Sequence, residues 1–97
     1  MDTPLVVYDV DGRRFVVDSD EYTAELVVRE RDDRLVLVHT EVPDELAGRG
    51  LGGALVRAAV DHAVEHGFVV VPNCPFARRW LQDHPDVAGR ADIAWDG

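Results

Sequence analysis

Lysine is missing from the 97 residues: all ten basic side chains are arginine, set against nineteen Asp and Glu. The formal net charge is −9. Such a field repels DNA and RNA, and no basic stripe relieves it, so no nucleic-acid partner is expected. It repels an anionic cofactor at long range too. A phosphate site in this chain must therefore rely on local donors: backbone N–H groups and nearby arginines. Cysteine is nearly absent. The single Cys74 excludes an internal disulfide and fits a reducing, cytoplasmic setting. No apolar run exceeds four residues, as in Phe68 to Val71, so no membrane-spanning helix is expected. The opening residues lack a basic stretch followed by an apolar one, so no signal peptide is expected either. Repeats and low-complexity segments are absent.

What is present reads as one small domain over residues 1–97, with a core over about 5–85 and a tail over 86–97. The composition, 46% hydrophobic and 30% charged, is that of a globular chain with a modest core. Leu5–Val10 reads as a strand, and Asp11-Gly12 as a hairpin turn. Arg14–Asp18 is a second strand, and Asp20-Glu21 a turn. Tyr22–Glu30 is a third strand, in which Tyr22, Ala24, Leu26 and Val28 alternate. Arg31-Asp32-Asp33 closes another hairpin, without a glycine. Arg34–Val42 is a fourth strand. Strict alternation puts Leu35, Leu37, His39 and Glu41 on one face and Val36, Val38, Thr40 and Val42 on the other. Both faces start apolar, so this strand is expected to be central and covered on both sides. A helix to about His66 follows, ending at Gly67. Phe68–Val71 is a short buried parallel strand, so residues 34–71 form one strand–helix–strand crossover. Pro75 suits the first turn of a last helix to about Asp83. The tail from Asp86 has no clear period; it either docks through Trp95 or frays.

Between the fourth strand and the long helix lies Ala47-Gly48-Arg49-Gly50-Leu51-Gly52-Gly53. Four glycines in six residues mark a backbone that turns tightly and lets another group come close. The first N–H groups of the following helix point back at this loop, which makes it a ready anion site. Gly48-x-Gly50-x-x-Gly53 matches the dinucleotide fingerprint in letters only. Five residues separate it from the strand, and the next strand ends on Val71-Pro72 rather than an acid. A P-loop fails because no Gly-Lys-Ser/Thr follows.

The loop resembles the acyl-CoA pyrophosphate loop of the GNAT superfamily of N-acetyltransferases, Gln/Arg-x-x-Gly-x-Gly/Ala. Gly50 and Gly52 match, and Ala47 departs from the usual Gln or Arg. His39-Thr40-Glu41-Val42-Pro43, Glu45-Leu46, Val71-Pro72-x-Cys74-Pro75-Phe76 and His84-Pro85 extend the likeness. They resemble a branch of small stand-alone acetyltransferase-like proteins with a Cys-Pro after the last core strand. The resemblance implies an α+β fold: a mixed, mostly antiparallel sheet of about five strands with a β-α-β unit and a short C-terminal helix. It implies acetyl-CoA as cosubstrate, held by the N–H groups of Gly48, Arg49, Gly50, Leu51, Gly52 and Gly53, with Arg49 and Arg57 as added phosphate ligands. The pantetheine arm would lie where the fourth and fifth strands part, pairing with the backbone of Thr40 and Val42. The N-terminal helices and C-terminal strands of larger family enzymes are not evident. The acceptor side should then be open, which suits an amine on a protein or peptide, and a monomer or weak dimer. The rival reading is a non-catalytic CoA-binding or interaction module.

Acetyl transfer to an amine needs a base for the amine and an acid for the departing thiolate. His39 and Glu41, on the strand beside the implied thioester, are the candidate bases; a hydrogen-bonded core histidine and a loop-ordering carboxylate are the bland readings. Cys74 opens the last helix, where a thiol tends to ionise more readily. It is a candidate acid or acyl acceptor, or an inert buried residue. The last helix has no tyrosine, the usual acid of such enzymes. His62-Ala63-Val64-Glu65-His66 matches a zinc-protease pattern, but Gly67 ends the helix at once and no third ligand is evident; no metal is expected.

Overall fold

The computed structural model describes residues 4–19 and 21–96. Five strands make one sheet in chain order: β1 (Val7–Asp9), β2 (Arg14–Ser19), β3 (Tyr22–Arg31), β4 (Arg34–Glu41) and β5 (Val69–Pro72). Neighbours are antiparallel except β4 and β5, which run parallel with Arg34 opposite Val69 and Leu37 opposite Pro72. Helix α1 (Leu51–His66) is the crossover between them, and α2 (Pro75–Asp83) and α3 (Pro85–Ala88) follow β5. This is the α+β arrangement with a mixed five-stranded sheet that the resemblance implies. No helix among the described residues is long and apolar enough to cross a membrane.

Turn chemistry sets the strand ends. At the first hairpin, the Asp9 carboxylate accepts the Gly12 N–H at 3.0 Å and Arg14 Nε at 3.3 Å. The Gly12 N–H first, and Arg14 second, hold the Asp9 carboxyl below its ordinary value. This clamp leaves β1 shorter than Leu5–Val10: Val10 belongs to the turn, and Leu5 and Val6 precede the strand. The β3–β4 turn has no glycine, and Asp32 takes the left-handed conformation instead, at φ 55°. Of the expected Asp20-Glu21 turn, Asp20 lies outside the described residues. At the end of α1, Gly67 is left-handed at φ 71°, and the N–H groups of Gly67 and Phe68 both reach the Ala63 carbonyl.

All three helices cover one face of the sheet. The core joins Leu26 and Val28 of β3, Leu35 and Leu37 of β4 and Val70 of β5 to Leu55, Val56 and Val60 of α1, Leu81 of α2 and Val87 of α3. Among the described residues the opposite face has no helix, and β4 is therefore not covered on both sides as its apolar start suggests. Val36 is half-buried there, and Val16 and Val71 are buried without joining the core cluster. Burial by flanking strands and neighbouring side chains suffices for β-branched residues packed shoulder to shoulder on a sheet.

The tail docks rather than frays. Val70 N–H donates to the Asp92 carbonyl and Ala94 N–H to the Val70 carbonyl, both at 2.8 Å, so Ile93 bridges to β5. Arg78 donates to the Trp95 carbonyl and lies over its ring, 5.6 Å from the centroid.

Leu55 is fully buried at the centre of the helix–sheet interface. Leu55→Ala should cost about 2–5 kcal/mol, read as a lowered urea midpoint. A loss under about 1 kcal/mol would mean that this interface is not the core.

Candidate functional site

The two parallel strands separate early. Their register ends at Leu37 opposite Pro72, and a last link runs from the Cys74 N–H to the Leu37 carbonyl at 2.8 Å. Proline has no N–H to continue the ladder. β4 nonetheless runs on to Glu41, paired with β3 only. Among the described residues, Val38 to Glu41 have no strand neighbour on the β5 side, and a slot opens there.

A β-bulge decides which side chains face that slot. Val28 pairs with Leu37 and Val27 with His39, so Val38 is the extra residue on β4. One added residue reverses the alternation beyond it. Thr40 and Val42 therefore share the helix-covered face with Leu35 and Leu37, while His39 and Glu41 stand on the open face. This corrects the strict alternation expected for β4. His39 Nε2 and Glu41 Oε2 lie 3.8 Å apart with side chains 61% and 66% exposed. Neither lines the groove described next.

The glycine loop opens into a groove of about 820 Å³ on the helix-covered side. Gly48 and Gly50 are left-handed, at φ 82° and 72°, and Gly50 caps α1. Among the described residues, the N–H groups from Gly48 to Gly53 meet no acceptor; the first paired amide of α1 is that of Ala54, to the Gly50 carbonyl. Leu51 buries its side chain in the core while lining the groove. Gly52 and Gly53 are small for a different reason. A Cβ on Gly52 would sit 2.6 Å from Phe76 Cζ, and one on Gly53 would sit 2.5 Å from Trp80 Nε1. Two of the four glycines thus serve the turn, and two let the aromatic side chains of α2 close over α1. Arg49 turns away, into a separate hollow with Tyr22 and Glu45. The guanidinium that lines the groove is that of Arg57.

Thr40 and Val42 line the groove beside the slot. Cys74, the N-cap of α2, lies behind Thr40: it is 3% exposed, with Sγ 3.2 Å from Thr40 Oγ1. Pattern reading singled out Thr40 and Cys74 separately and missed this pair, because only the bulge turns Thr40 inward. It also missed Phe76 and Trp80 as groove residues. Their four-residue spacing on α2, set against the adjacent Gly52-Gly53, was the available signal.

His62 and His66 do not converge on a point. Their rings stack at 4.2 Å, and His62 sits against Tyr8 and Phe15, with Nε2 3.5 Å from Glu30 Oε1. Burial, then Glu30, pushes the Tyr8 hydroxyl pKa up. Among the described residues, no three His, Cys, Asp or Glu side chains gather as a metal site.

Residues 14–90 match the family model of the GCN5-related N-acetyltransferases. The chain belongs to this family. A GCN5-like protein from Staphylococcus aureus, determined by NMR in solution, superposes on this GNAT chain with a TM-score of 0.68 at 30% identity. The superposition covers 91% of this chain and 87% of the other. Proteins called NATD1 from Xenopus tropicalis and Homo sapiens are 37% identical to it over 49 residues. That match spans 50% of this chain and only 45% and 43% of those relatives' length.

Gly53→Ala tests the aromatic closure. Alanine gains about 1 kcal/mol of helix propensity, yet overpacking against Trp80 should cost about 1–3 kcal/mol. We expect a lower urea midpoint and a shifted Trp80 emission, read in a Trp95→Phe background. A stabilised protein with unchanged emission would contradict the contact.

Proposed function

We propose that this GNAT chain transfers the acetyl group of acetyl-CoA to an amine, carried by a protein or peptide. The observation that bears most weight is the row of unpaired amides from Gly48 to Gly53, opening into a groove that leads to the parted strands. Backbone N–H groups at a helix start favour a diphosphate by hydrogen bonding and by the helix dipole, without lysine. The pantetheine arm then follows the free edge of β4, as an added strand would.

The bulge divides the chemistry between the two faces of one strand. On the groove side, Thr40 Oγ1, 3.2 Å from Cys74 Sγ, takes a proton from Cys74 in this reading and passes its own to the departing thiolate. In this relay the bond changes occur on the substrate: the amine nitrogen bonds the carbonyl carbon and the C–S bond breaks. The departing sulfur takes the Thr40 proton and Thr40 takes that of Cys74, which solvent restores as the base releases the amine proton. Burial makes Cys74 a proton source behind Thr40 more readily than an acyl carrier, since an acyl group needs room that a 3% exposed thiol lacks. On the open face, His39 backed by Glu41 is the base for an amine that approaches through the slot. No helix walls that face, which suits a bulky acceptor.

A binding-only module is the second reading. It draws on the exposed, loosely paired His39 and Glu41 and on the absence of tyrosine from α2.

Calorimetry with acetyl-CoA should give saturable heat in the micromolar range, and no heat at high micromolar ligand would remove the acetyl-CoA reading. With a lysine peptide as acceptor, CoA release should fall about 10²–10⁴-fold in His39→Gln. It should fall less in Cys74→Ser, which keeps a hydroxyl proton, than in Cys74→Ala. Tight binding with no turnover in any amine panel would select the binding-only reading.

A further inference from the structure

Arg57 is unusually placed for a cation in so acidic a chain. It lines the groove, and it joins none of the ion pairs among the described residues. Its natural helical partner, Asp61 at i+4, instead forms an ion pair with Arg90, Nη1 to Oδ1 at 2.7 Å, without the geometry of a hydrogen bond. Asp61 also lines the groove, and Arg90 partly offsets this carboxylate, which would otherwise oppose an anion there. Arg57 rests over the Trp80 ring, 5.7 Å from its centroid, a contact that holds the guanidinium at the groove without spending its N–H donors. Trp80 is itself fixed: His84 stacks on it at 3.9 Å, and His84 Nδ1 lies 2.8 Å from the Trp80 carbonyl. Phe76, 45% exposed, continues the aromatic wall towards Gly52.

Position along α1 gives this wall its meaning. Arg57 lies five residues beyond Gly52, about 7.5 Å along the helix axis. A ligand whose diphosphate sits on the amides of Gly48 to Gly53 places its next groups, a sugar with its base and any further phosphate, beside Arg57, Trp80 and Phe76. The wall offers the two things such groups need: flat apolar surface for a base and a fork of N–H donors for a phosphate.

We propose that Arg57, Trp80 and Phe76 form a second subsite of the groove, which takes an adenine ring and the 3′-phosphate of its ribose and so selects full CoA thioesters over shorter ones. This rests on the acetyl-CoA reading above. Trp80 and Phe76 carry the base, and Arg57 turns its guanidinium from the indole to the phosphate. The amides alone cannot make this distinction, because every CoA fragment that keeps the diphosphate presents the same group to them.

The test compares acetyl-CoA with 3′-dephospho-acetyl-CoA by calorimetry at one fixed salt concentration. The wild-type protein should prefer acetyl-CoA by about ten- to a hundredfold, the worth of a charge-assisted phosphate contact. Arg57→Gln, an exposed and fold-neutral change, should weaken acetyl-CoA by that factor and leave the dephospho thioester unaltered. In Trp95→Phe protein, both ligands should quench Trp80. Equal affinity of the wild type for the two thioesters overturns the subsite and leaves the acetyl-CoA reading standing; so does an Arg57→Gln loss of equal size for both. Failure of the wild type to bind either thioester overturns both proposals together.

Discussion

The parting of β4 from β5 just beyond Leu37 and Pro72 is the constraint on which the site depends. Parallel neighbours in a small sheet gain by staying paired along their whole length, since every lost ladder bond leaves backbone groups to find another partner. Here proline ends the ladder from one side, the bulge at Val38 bends the strand on the other, and the Cys74 N–H makes the final link. The unpaired edge of β4 from Val38 to Glu41 is the result. The same bulge places Thr40 inward and His39 and Glu41 outward, so one irregularity shapes both the slot and the choice of side chains on either face of it.

The glycine loop carries two loads at once. Gly48 and Gly50 bend the chain into left-handed turns that leave a row of N–H groups unpaired, while Gly52 and Gly53 admit the side chains of Phe76 and Trp80. The aromatic closure holds α2 against the start of α1. That keeps Cys74, the N-cap of α2, beside Thr40. The turn, the helix pair and the thiol–hydroxyl contact are therefore mechanically one unit, in a chain whose net charge forbids it from attracting a phosphate at long range.

Much of this was legible in the residues. Alternation in β3, the β-branched run of β5, Gly67 after α1 and Pro75 at the start of α2 each have a local cause, and local causes can be read along a chain. The crossover followed from the order of those elements. The bulge could not be read: Val38 lies in a uniform β-branched and aliphatic stretch with no glycine to mark the extra residue, so strict alternation put His39 and Glu41 on the wrong face. Nor could the reason for Gly52 and Gly53, which depends on two side chains more than twenty positions away. The tail was silent because a lone bridge at Ile93 and one anchored Trp95 leave no periodic trace.

That docked tail has a further effect on how the molecule meets its own kind. By pairing with Val70 on the far side of β5, Ile93 and its neighbours occupy a margin of the sheet that would otherwise offer free backbone to another chain. The other margin, β1, is three residues long and ends in the Asp9–Arg14 clamp. With both rims blunted, strand-by-strand stacking of neighbouring molecules is discouraged, and the exposed backbone that survives is the inner stretch of β4. Among the described residues, the longer free strand edge thus lies in the interior slot, away from the borders of the sheet.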